Sequence, residues 1–556
     1  YVLFIEGTVH NLGELEPQRY GSGDVAAVCL DMFLREGESF VEPLNGEFNI
    51  VVYDGTRGRV QIFNDRQGCR PLFYSCGHGR FLFGSEIKSI LLGQESPPRF
   101  DRQGILELFT FGHNLADRTI YEGVNLMAPA SILTVDRSGL QIGRYWRMAY
   151  GSGDGHPDLN ESADELGRRL CRAAERRYNP ERKTAIFLSG GLDSRAVAGA
   201  LREATRNFRA ISFGGTHSAD VRWGGGVADK LGCSQQVLRH GSISLSDALP
   251  RIVWRTEGTL PCDETFSIEH HRHLRPRPEH VFNGHLGDVV SGQHILPGLL
   301  LARDQDAVIE RLLRERTILS RIDLDGVFRD SFLREAWPQI RETMRLTLRG
   351  FRERRLPFCY NLWNLTVLDR RVAFRSPVVE RYLYEVHSPL ADREVVEWML
   401  TMPLSYLFLQ RVYKRMIVNM FPDLARVPVT KTGRPVRRSL LKDGFDLGRL
   451  VTKRKLSHLF RRWSRLEQSH GDENPMRDPS LLDRIEQYMD SDMFLSSVFD
   501  RGRIERTLDA YFHRGQGSDR LISCLVTVAE TARLFLAQRH VSPPRDVQPV
   551  LEGAIG

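Results

Sequence analysis

A short turn of serine and glycine separates an apolar run from an amphipathic run within residues 185–198. The apolar run ends in Ser-Gly-Gly at 189–191, and a carboxylate and a hydroxyl follow at Asp193 and Ser194. A strand that passes through such a turn into a helix directs several backbone N–H groups to one point, which suits phosphate oxygens. The two glycines would let the backbone approach a ligand closely and adopt positive φ. The pattern therefore predicts a phosphate-binding loop.

Asp193 is the informative residue of this loop, because a bare carboxylate beside a phosphate would repel it. A magnesium ion between the two groups would remove the repulsion, so Asp193 is a candidate Mg²⁺ ligand. The loop lacks the lysine of the GxxxxGK[ST] phosphate loop. We therefore expect it to hold the β and γ phosphates of ATP, while chemistry at the α phosphate releases pyrophosphate and transfers AMP to the substrate. A Ser/Gly turn without function is the alternative interpretation.

The elements that must position this loop form two parts of different character. Residues 1–150 contain short β-rich runs, and residues 151–160 form a polar Gly/Asp linker. A long helix is expected over 161–178, and the alternation of strands and helices that follows is typical of a parallel α/β sheet. Beyond about residue 295 the pattern is mainly helical. The predicted strands are FNIVVYD, RVQIFND, PLFYS and RFLFGSE in the first part and KTAIFL, FRAISF, QQVLRH and HVFNG in the second, with helices around 221–231 and 246–257.

Composition limits the class of protein. A chain of 556 residues is too long for one compact core, so about two to four domains are expected. No apolar run approaches the roughly 20 residues of a membrane-spanning helix, and the start shows no signal peptide. Eight cysteines are scattered without CxxC spacing, which favours reduced thiols in a cytoplasmic protein over disulfides or a zinc site.

The net charge of +7 permits an acidic partner without requiring one. Part of the excess lies in residues 453–466, where basic residues and apolar residues at helical spacing predict a basic amphipathic helix. Its apolar face could pack on the core with solvated arginines outside, or the helix could dock an acidic peptide. The sequence leaves both interpretations open.

Several segments resemble the asparagine synthetase family, which also contains β-lactam synthetases and lasso-peptide cyclases. SGGLDS is similar to the pyrophosphate-loop motif of that family, and the likeness extends over nearly the whole chain. The resemblance implies an N-terminal Ntn-hydrolase-like αββα sandwich at 1–150, shortened and degenerate. It also implies a pyrophosphate-loop ATPase domain at 161–540, with a parallel sheet and a mainly helical C-terminal part. The other segments that carry it are LNGEFNIVVYD, NDRQGCRPLFY, FGSEIKSIL, TIYEGVNLMAPASILTV, FNGHLGDVVSG, YEVHSPLADREVVEWMLTMP and MFPDLARVPVTKTG.

The resemblance also assigns residues to the ATP site. Asp288 matches the second conserved aspartate of the family, so Asp193 and Asp288 are the expected Mg²⁺ ligands. Lys431 matches the lysine of the family's lysine-bearing loop and is expected over the α phosphate. Asp220 matches an acidic position ahead of the adenine-side helix. The residues expected to bind ATP and pyrophosphate are Ser189, Gly190, Gly191, Asp193, Ser194 and Asp220.

A general base for the attacking amine is implied in the same way. Glu385 matches the glutamate of the EVRxPFLD segment, and His285 stands where relatives carry glutamate or tyrosine. Because imidazole titrates near neutral pH, a His285–Glu385 pair is expected as that base. His387 replaces the arginine of EVR and Val289 replaces an acid, which are departures on the side of the second substrate.

The first domain departs from glutamine-using relatives. A glutaminase of this class acts through an N-terminal cysteine, whereas this sequence starts at Tyr1 with a segment similar to an interior part of that domain. Glu6-Gly7-Thr8 replaces Asn-Gly-Glu, and GSGDVAAV at 21–28 blurs an expected Ser-Asp-x-Glu. Either a piece is missing before Tyr1, or the domain is shortened and inactive. We favour a structural domain without glutaminase activity, so that the amine is carried by the substrate.

These features predict an ATP-dependent, AMP-forming carbon–nitrogen ligase that uses ATP and Mg²⁺ to join a carboxylate to an amine. Cyclisation of a small molecule or peptide is the favoured form, as in β-lactam or lasso-peptide formation, with a precursor peptide and a companion protease as possible partners. Glutamine-hydrolysing asparagine synthetase is the runner-up, and a non-catalytic scaffold is the alternative of another class. Nucleic acid is not expected as a partner, since the strand-rich first domain and EVHSPLAD do not fit a nucleic-acid thiolase. No membrane span is expected either.

Overall fold

A computed structural model describes most of the chain. The residues described are 1–20, 24–77, 79–215, 218–239, 243–295, 297–300, 302, 304–351, 353–373, 375–436 and 474–537. The predicted basic helix at 453–466 and the start of GSGDVAAV lie outside them. Within these residues, no helix has the length and apolar character needed to span a bilayer.

The first part of the chain is built on two antiparallel sheets. The strands are β1 Val2–Val9, β2 Gly46–Asp54, β3 Arg59–Asn64, β4 Phe73–Gly77, β5 Arg80–Gly84, β6 Asn125–Leu126, β7 Ser131–Asp136 and β8 Gly139–Arg144. The larger sheet has the order β1-β2-β3-β7-β8 and the smaller the order β5-β4-β6. The helix Val25–Glu36 packs on the larger sheet, where Phe33, Phe40 and Phe63 meet in edge-to-face contacts. Two further helices of this part are Ile87–Gly93 and Arg102–Phe111.

The second part contains a parallel sheet of five strands: β9 Thr184–Phe187, β10 Arg209–Phe213, β11 Gln235–Leu238, β12 His280–Phe282 and β13 Glu385–His387. Their order across the sheet is β11-β10-β9-β12-β13. The crossover helices between them include Leu192–Ala204, Ala219–Leu231 and Leu245–Thr256, and Leu159–Arg177 precedes the sheet. From β9 the chain continues to β10 and β11 on one side of β9, and it then returns to form β12 on the other side of β9. Ligands of such sheets bind at this switch point, beyond the carboxyl ends of the strands.

The remaining chain is mainly helical, and it shares a core with the first part. Phe109 of the first part packs against Phe328 at 5.1 Å between ring centroids, and Phe328 stacks on Phe499 at 5.1 Å. The predicted fold class is therefore confirmed: antiparallel sheets, then a parallel α/β sheet, then a helical part. The longer helices of the helical part are Gln305–Arg316, Asp330–Arg349, Leu356–Trp363, Arg393–Thr401, Arg411–Met420, Ser480–Met489, Arg501–Leu508 and Asp519–Thr531, with a π-helix at Asn364–Ala373.

A buried carboxylate, Asp392, links the first domain to the second part of the chain. Asp392 is fully buried, and it accepts hydrogen bonds from Arg177 at 2.7 Å and from the Asn45 amide of the first domain at 3.0 Å. Its carboxylate also accepts the Glu394 N–H at 3.0 Å, which caps the helix Arg393–Thr401. One side chain thus holds two domains and a helix end together.

We expect Asp392→Ala to lower the free energy of unfolding by about 3–5 kcal/mol, because it leaves the Arg177 guanidinium buried and uncompensated. Urea unfolding followed by circular dichroism measures the change. The matched control is Asp423→Ala, which breaks an ion pair of two exposed side chains and should cost no more than about 0.5 kcal/mol. Equal effects of the two substitutions would contradict the prediction.

Candidate active site

The SGGLDS turn connects β9 to the helix Leu192–Ala204 at the switch point of the sheet. The two serines of the turn hold its shape: the Ser189 and Ser194 hydroxyls lie 3.0 Å apart, and Ser189 Oγ accepts the Gly191 N–H at 3.1 Å. No side chain caps the helix that follows. Its first N–H groups therefore remain available to an anion, as a phosphate-binding loop requires.

The loop glycines are explained by close approach and not by positive φ. Neither Gly190 nor Gly191 has a left-handed backbone, and φ of Gly191 is −73°. A Cβ at Gly190 would instead lie 2.1 Å from Thr430 Oγ1 and 2.6 Å from Trp223 Cβ. The expectation of positive φ was therefore wrong, and the glycine at 190 is needed because two other segments press against it.

Asp193 and Asp288 converge on one spot. A Cβ at Gly287 would lie 2.4 Å from Asp193 Cγ, and one at Gly284 would lie 2.7 Å from Ser194 N, so the loop after β12 packs directly on the pyrophosphate loop. Burial and the nearby charge of Asp288 raise the pKa of Asp193 to about 7. The structure thus brings together the two carboxylates that the resemblance assigned to the metal.

These carboxylates suit a magnesium ion shared with phosphate. Asp193 Oδ1 and the neighbouring Tyr413 hydroxyl are both buried, and neither makes a hydrogen bond of normal geometry with another described residue. Such an orphaned acceptor is costly unless a ligand satisfies it. The described residues contain no set of three or more His, Cys, Asp or Glu side chains that could hold a metal alone. Mg²⁺ commonly uses one or two carboxylates together with phosphate oxygens and water, and the pair present fits that pattern.

A histidine and an arginine orient Asp288. His294 Nε2 lies 3.3 Å from Asp288 Oδ2, and an Arg316 N–H donates to His294 Nδ1 at 3.2 Å. Because a guanidinium can only donate, Nδ1 must accept and Nε2–H must point to the carboxylate. The pKa of Asp288 is lowered: burial opposes this, and the His294 hydrogen bond and the charge of Arg316 outweigh it. Asp288 is thereby held ionised.

Asp369 is a third carboxylate of the site that sequence reasoning missed. It lies on the π-helix Asn364–Ala373, and its Oδ2 is buried without a hydrogen-bond partner among the described residues. Burial and the charge of Asp288 hold the pKa of Asp369 well above its usual range. The signal available in the sequence was an acidic residue at the end of the mostly apolar run NLWNLTVLD. π-helical turns occur frequently at functional sites.

The predicted His285–Glu385 pair is not formed. Glu385 begins β13 and is level with His280 at the start of β12, where its carboxylate accepts a hydrogen bond from Arg70 at 3.0 Å. His285 follows the carboxyl end of β12, and its electrostatic neighbour is Asp288. In a parallel sheet the two residues therefore lie toward opposite ends of neighbouring strands. Burial lowers the pKa of His285 to about 4, so the imidazole is neutral at pH 7.

The segment 427–433, which carries Lys431 and is called the lysine loop below, packs on the SGGLDS pyrophosphate loop. Thr430 N donates to Gly190 O at 3.0 Å, and the adjacent Lys431 is close enough for its charge to lower the pKa of Asp193. Asp220 joins the two loops, because its Oδ1 accepts from Gly190 N at 3.2 Å and from Thr430 Oγ1 at 2.8 Å. That oxygen is used within the protein, so Asp220 joins the two loops, and its predicted contact with ATP stays a prediction.

Arg195 joins the same two loops from beneath. Its side chain is fully buried, and it donates to Gly190 O at 3.2 Å in the pyrophosphate loop. On the other side it donates to Val427 O at 2.6 Å and to Pro428 O at 2.8 Å, at the start of the lysine loop. Burial lowers the pKa of Arg195 to about 10. The guanidinium thus sets the distance between Gly190 and the segment that carries Lys431.

A cavity of about 190 Å³ lies beside Glu6, where the first domain meets the segment that carries Arg381. Arg70 and Glu86 also line it. Glu6 Oε2 accepts a hydrogen bond from the Asn49 amide at 3.1 Å. Of the GSGDVAAV segment, Asp24 caps the helix Val25–Glu36 through the Ala27 N–H at 3.0 Å. The side chains that replace the glutamine-binding signature are therefore used within the fold.

Comparison with known proteins is consistent with this architecture. A glutamine amidotransferase domain family matches residues 1–146, and an asparagine synthase family matches residues 165–435. The asparagine synthetase [glutamine-hydrolyzing] 3 of Bacillus subtilis is 33% identical over 205 residues, which are 35% of this chain and 33% of that protein. Amidase chyE of Penicillium rubens is 30% identical over 269 residues, which are 44% of this chain and 39% of that protein.

The aligned part of the chain spans well under half the length of these two curated relatives. Among solved structures, the glutamine phosphoribosylpyrophosphate amidotransferase of B. subtilis, complexed with ADP and GMP, aligns with a TM-score of 0.19 at 13% identity. That alignment covers 51% of this chain and 61% of the other, and so low a likeness supports no inference.

Proposed function

We propose that this chain, which belongs to the asparagine synthetase family, is an ATP-dependent ligase that forms an amide through an acyl-adenylate. The observation that carries the proposal is the meeting of Asp193, Asp288 and the Lys431 loop at the switch point of the parallel sheet. Each comes from a different segment of the chain, and a scaffold without catalysis would have no use for this convergence.

In the proposed reaction, the backbone N–H groups at the start of the helix Leu192–Ala204 bind the β and γ phosphates. Asp193 and Asp288 would hold Mg²⁺, which would neutralise the triphosphate and stabilise charge at the α phosphorus. The Lys431 ammonium would stabilise the same charge from the opposite loop. The substrate carboxylate attacks the α phosphorus, pyrophosphate leaves, and an amine then displaces AMP.

Asp369 takes the role for which Glu385 was expected. Its oxygen without a partner lies near Asp288, and its raised pKa suits a group that accepts a proton from an amine. His285, neutral at pH 7, would line the same space. We propose that the amine is carried by the substrate, as in cyclising relatives, because Glu6 occupies the place of the glutamine-binding asparagine in the first domain.

The test uses the full chain with ATP, Mg²⁺ and a panel of amino-acid and peptide carboxylates, with hydroxylamine as a general amine. We expect AMP and pyrophosphate to be released together with a hydroxamate. Release of ADP and phosphate would contradict adenylation. No turnover with any carboxylate would favour the scaffold.

Glutamine in place of hydroxylamine distinguishes the runner-up, a glutamine-hydrolysing asparagine synthetase. With aspartate as the carboxylate, we expect neither glutamate nor asparagine from glutamine. Formation of both products would instead establish the runner-up, which is the activity given in the name of the Bacillus subtilis relative. Ammonium serves as the control, because it bypasses the first domain.

A further inference from the structure

A larger cavity lies between the first domain and the helical part, away from the candidate active site. Its volume is about 430 Å³, within the range of sites for small ligands. The end of β8, the segment after it, the end of the helix Asp330–Arg349 and one face of the π-helix Asn364–Ala373 form its walls. None of the residues assigned above to the active site lines it.

Positive charge is in excess around this cavity. Four arginines line it, at 66, 144, 147 and 370, and Asp117 is the acidic residue among the lining side chains. Arg66 is paired with Glu397. No ion pair or side-chain hydrogen bond joins Arg144 or Arg147 to another described residue. These two guanidinium groups and the buried Arg370 therefore lack full compensation by carboxylates of the described chain.

The rest of the wall is apolar and aromatic. The Arg66 guanidinium lies 4.9 Å from the centroid of the Trp146 ring, which forms one side of the cavity together with Leu133 and Val367. At the rim, Ile142 is 56% exposed and Leu346 is 59% exposed, high values for large apolar side chains. Arginine beside aromatic and aliphatic surface suits a ligand that has one charged end and one apolar end.

We propose that this cavity binds a small organic anion in which a carboxylate or phosphate is attached to an apolar body. The anionic group lies among Arg144, Arg147 and Arg370, and the apolar body packs along Trp146 and the rim. Planar guanidinium groups pair well with carboxylate and phosphate oxygens. Arg144 and Arg147 are exposed, whereas Arg370 is buried. The volume of about 430 Å³ limits the ligand to a small molecule.

The position of the cavity links it to the active site through one element. Arg370 directly follows Asp369 on the π-helix, but the two side chains lie in different sites. Asp369 lies near Asp288, whereas Arg370 lines the cavity and donates a hydrogen bond to Met127 O. The proposal concerns binding and does not depend on the ligase function, so its test measures binding alone.

The experiment is calorimetric titration of the full chain with 4-phenylbutyrate and with phenyl phosphate, and with 4-phenyl-1-butanol as the neutral analogue. We expect the anions to bind, with the alcohol at least about tenfold weaker, because it cannot form charge-assisted hydrogen bonds. Added salt should weaken the binding of the anions. The tighter of the two anions identifies the preferred anionic group.

The double variant Arg144→Gln/Arg147→Gln should bind both anions about tenfold more weakly, since it removes two charged donors. The control is Arg341→Gln/Arg345→Gln, which changes the net charge equally at two half-buried arginines outside the cavity and should bind like the wild type. Unchanged affinity in the first variant, equal binding of the alcohol, or no binding at millimolar concentrations would each overturn the proposal.

Discussion

Replacing Asp193 by asparagine should lower the rate of ATP–pyrophosphate exchange by about a thousandfold or more, because charge neutralisation at a transferring phosphate is worth several kcal/mol. Asparagine has nearly the same volume and keeps one acceptor oxygen, but it lacks the negative charge needed to hold a cation against the triphosphate. The exchange assay is suited to this test because it reports adenylation without any requirement for the amine.

The fold itself should tolerate this substitution. Burial and the charge of Asp288 raise the pKa of Asp193 from its ordinary value of 3.8 to about 7. An ionised Asp193 therefore lowers the stability of the folded protein when no ligand is bound. Without metal or nucleotide, the melting temperature of Asp193→Asn at pH 8 should therefore equal or exceed that of the wild type. Asp229→Asn, on the exposed face of the helix Ala219–Leu231, is the control and should keep full exchange activity. Normal exchange in Asp193→Asn would remove Asp193 from the metal site.

Replacing Arg195 by methionine should lower kcat for exchange by about a hundredfold, the loss expected when reacting groups are displaced by about 1 Å. The guanidinium holds Gly190 O on one side and the carbonyls of residues 427 and 428 on the other. Without it, Lys431 and the pyrophosphate loop lose their fixed separation. KM for ATP should change less than kcat, because the N–H groups that bind the β and γ phosphates belong to the helix Leu192–Ala204.

Three comparisons separate this positioning role from a general loss of stability. Arg195→Lys should recover only part of the activity, since an ammonium cannot match the planar fork of a guanidinium. Added guanidinium at sub-denaturing concentration should partly restore exchange in Arg195→Ala. Arg202→Met, on the same helix, removes a hydrogen bond to Leu231 O at 2.9 Å, away from both loops, and should remain near wild-type activity. A rise in KM as large as the fall in kcat, with no rescue by guanidinium, would contradict the role.

Local features of the candidate site could be predicted from the sequence because each depends on neighbours in the chain. An apolar run, a Ser-Gly-Gly turn and an amphipathic run are sufficient to indicate a strand, a tight loop and a helix. The alternation of predicted strands and helices after this loop indicated a parallel sheet, and strands β9 to β12 lie where the sequence patterns predicted them. The short strand β13, with three residues, was not predicted.

Contacts between distant segments could not be predicted in the same way. The His285–Glu385 pair failed because the register of β12 and β13 sets Glu385 level with His280, and no local pattern encodes that register. Asp369 and Arg316 were missed because their roles arise only when helices of the C-terminal part pack against the loop after β12.

By itself, the sequence determined the chemistry available at one loop: the hydroxyls, the glycines and the carboxylate of SGGLDS, and the strand–helix order that carries them. The tertiary structure alone decided which distant groups meet that loop. Gly190 packs against the lysine loop, and Asp193 packs against the loop after β12. Arg195 joins Gly190 to the start of the lysine loop. The physical reason is that short-range propensities select local geometry, whereas close packing and the pairing of buried polar groups select partners across the fold.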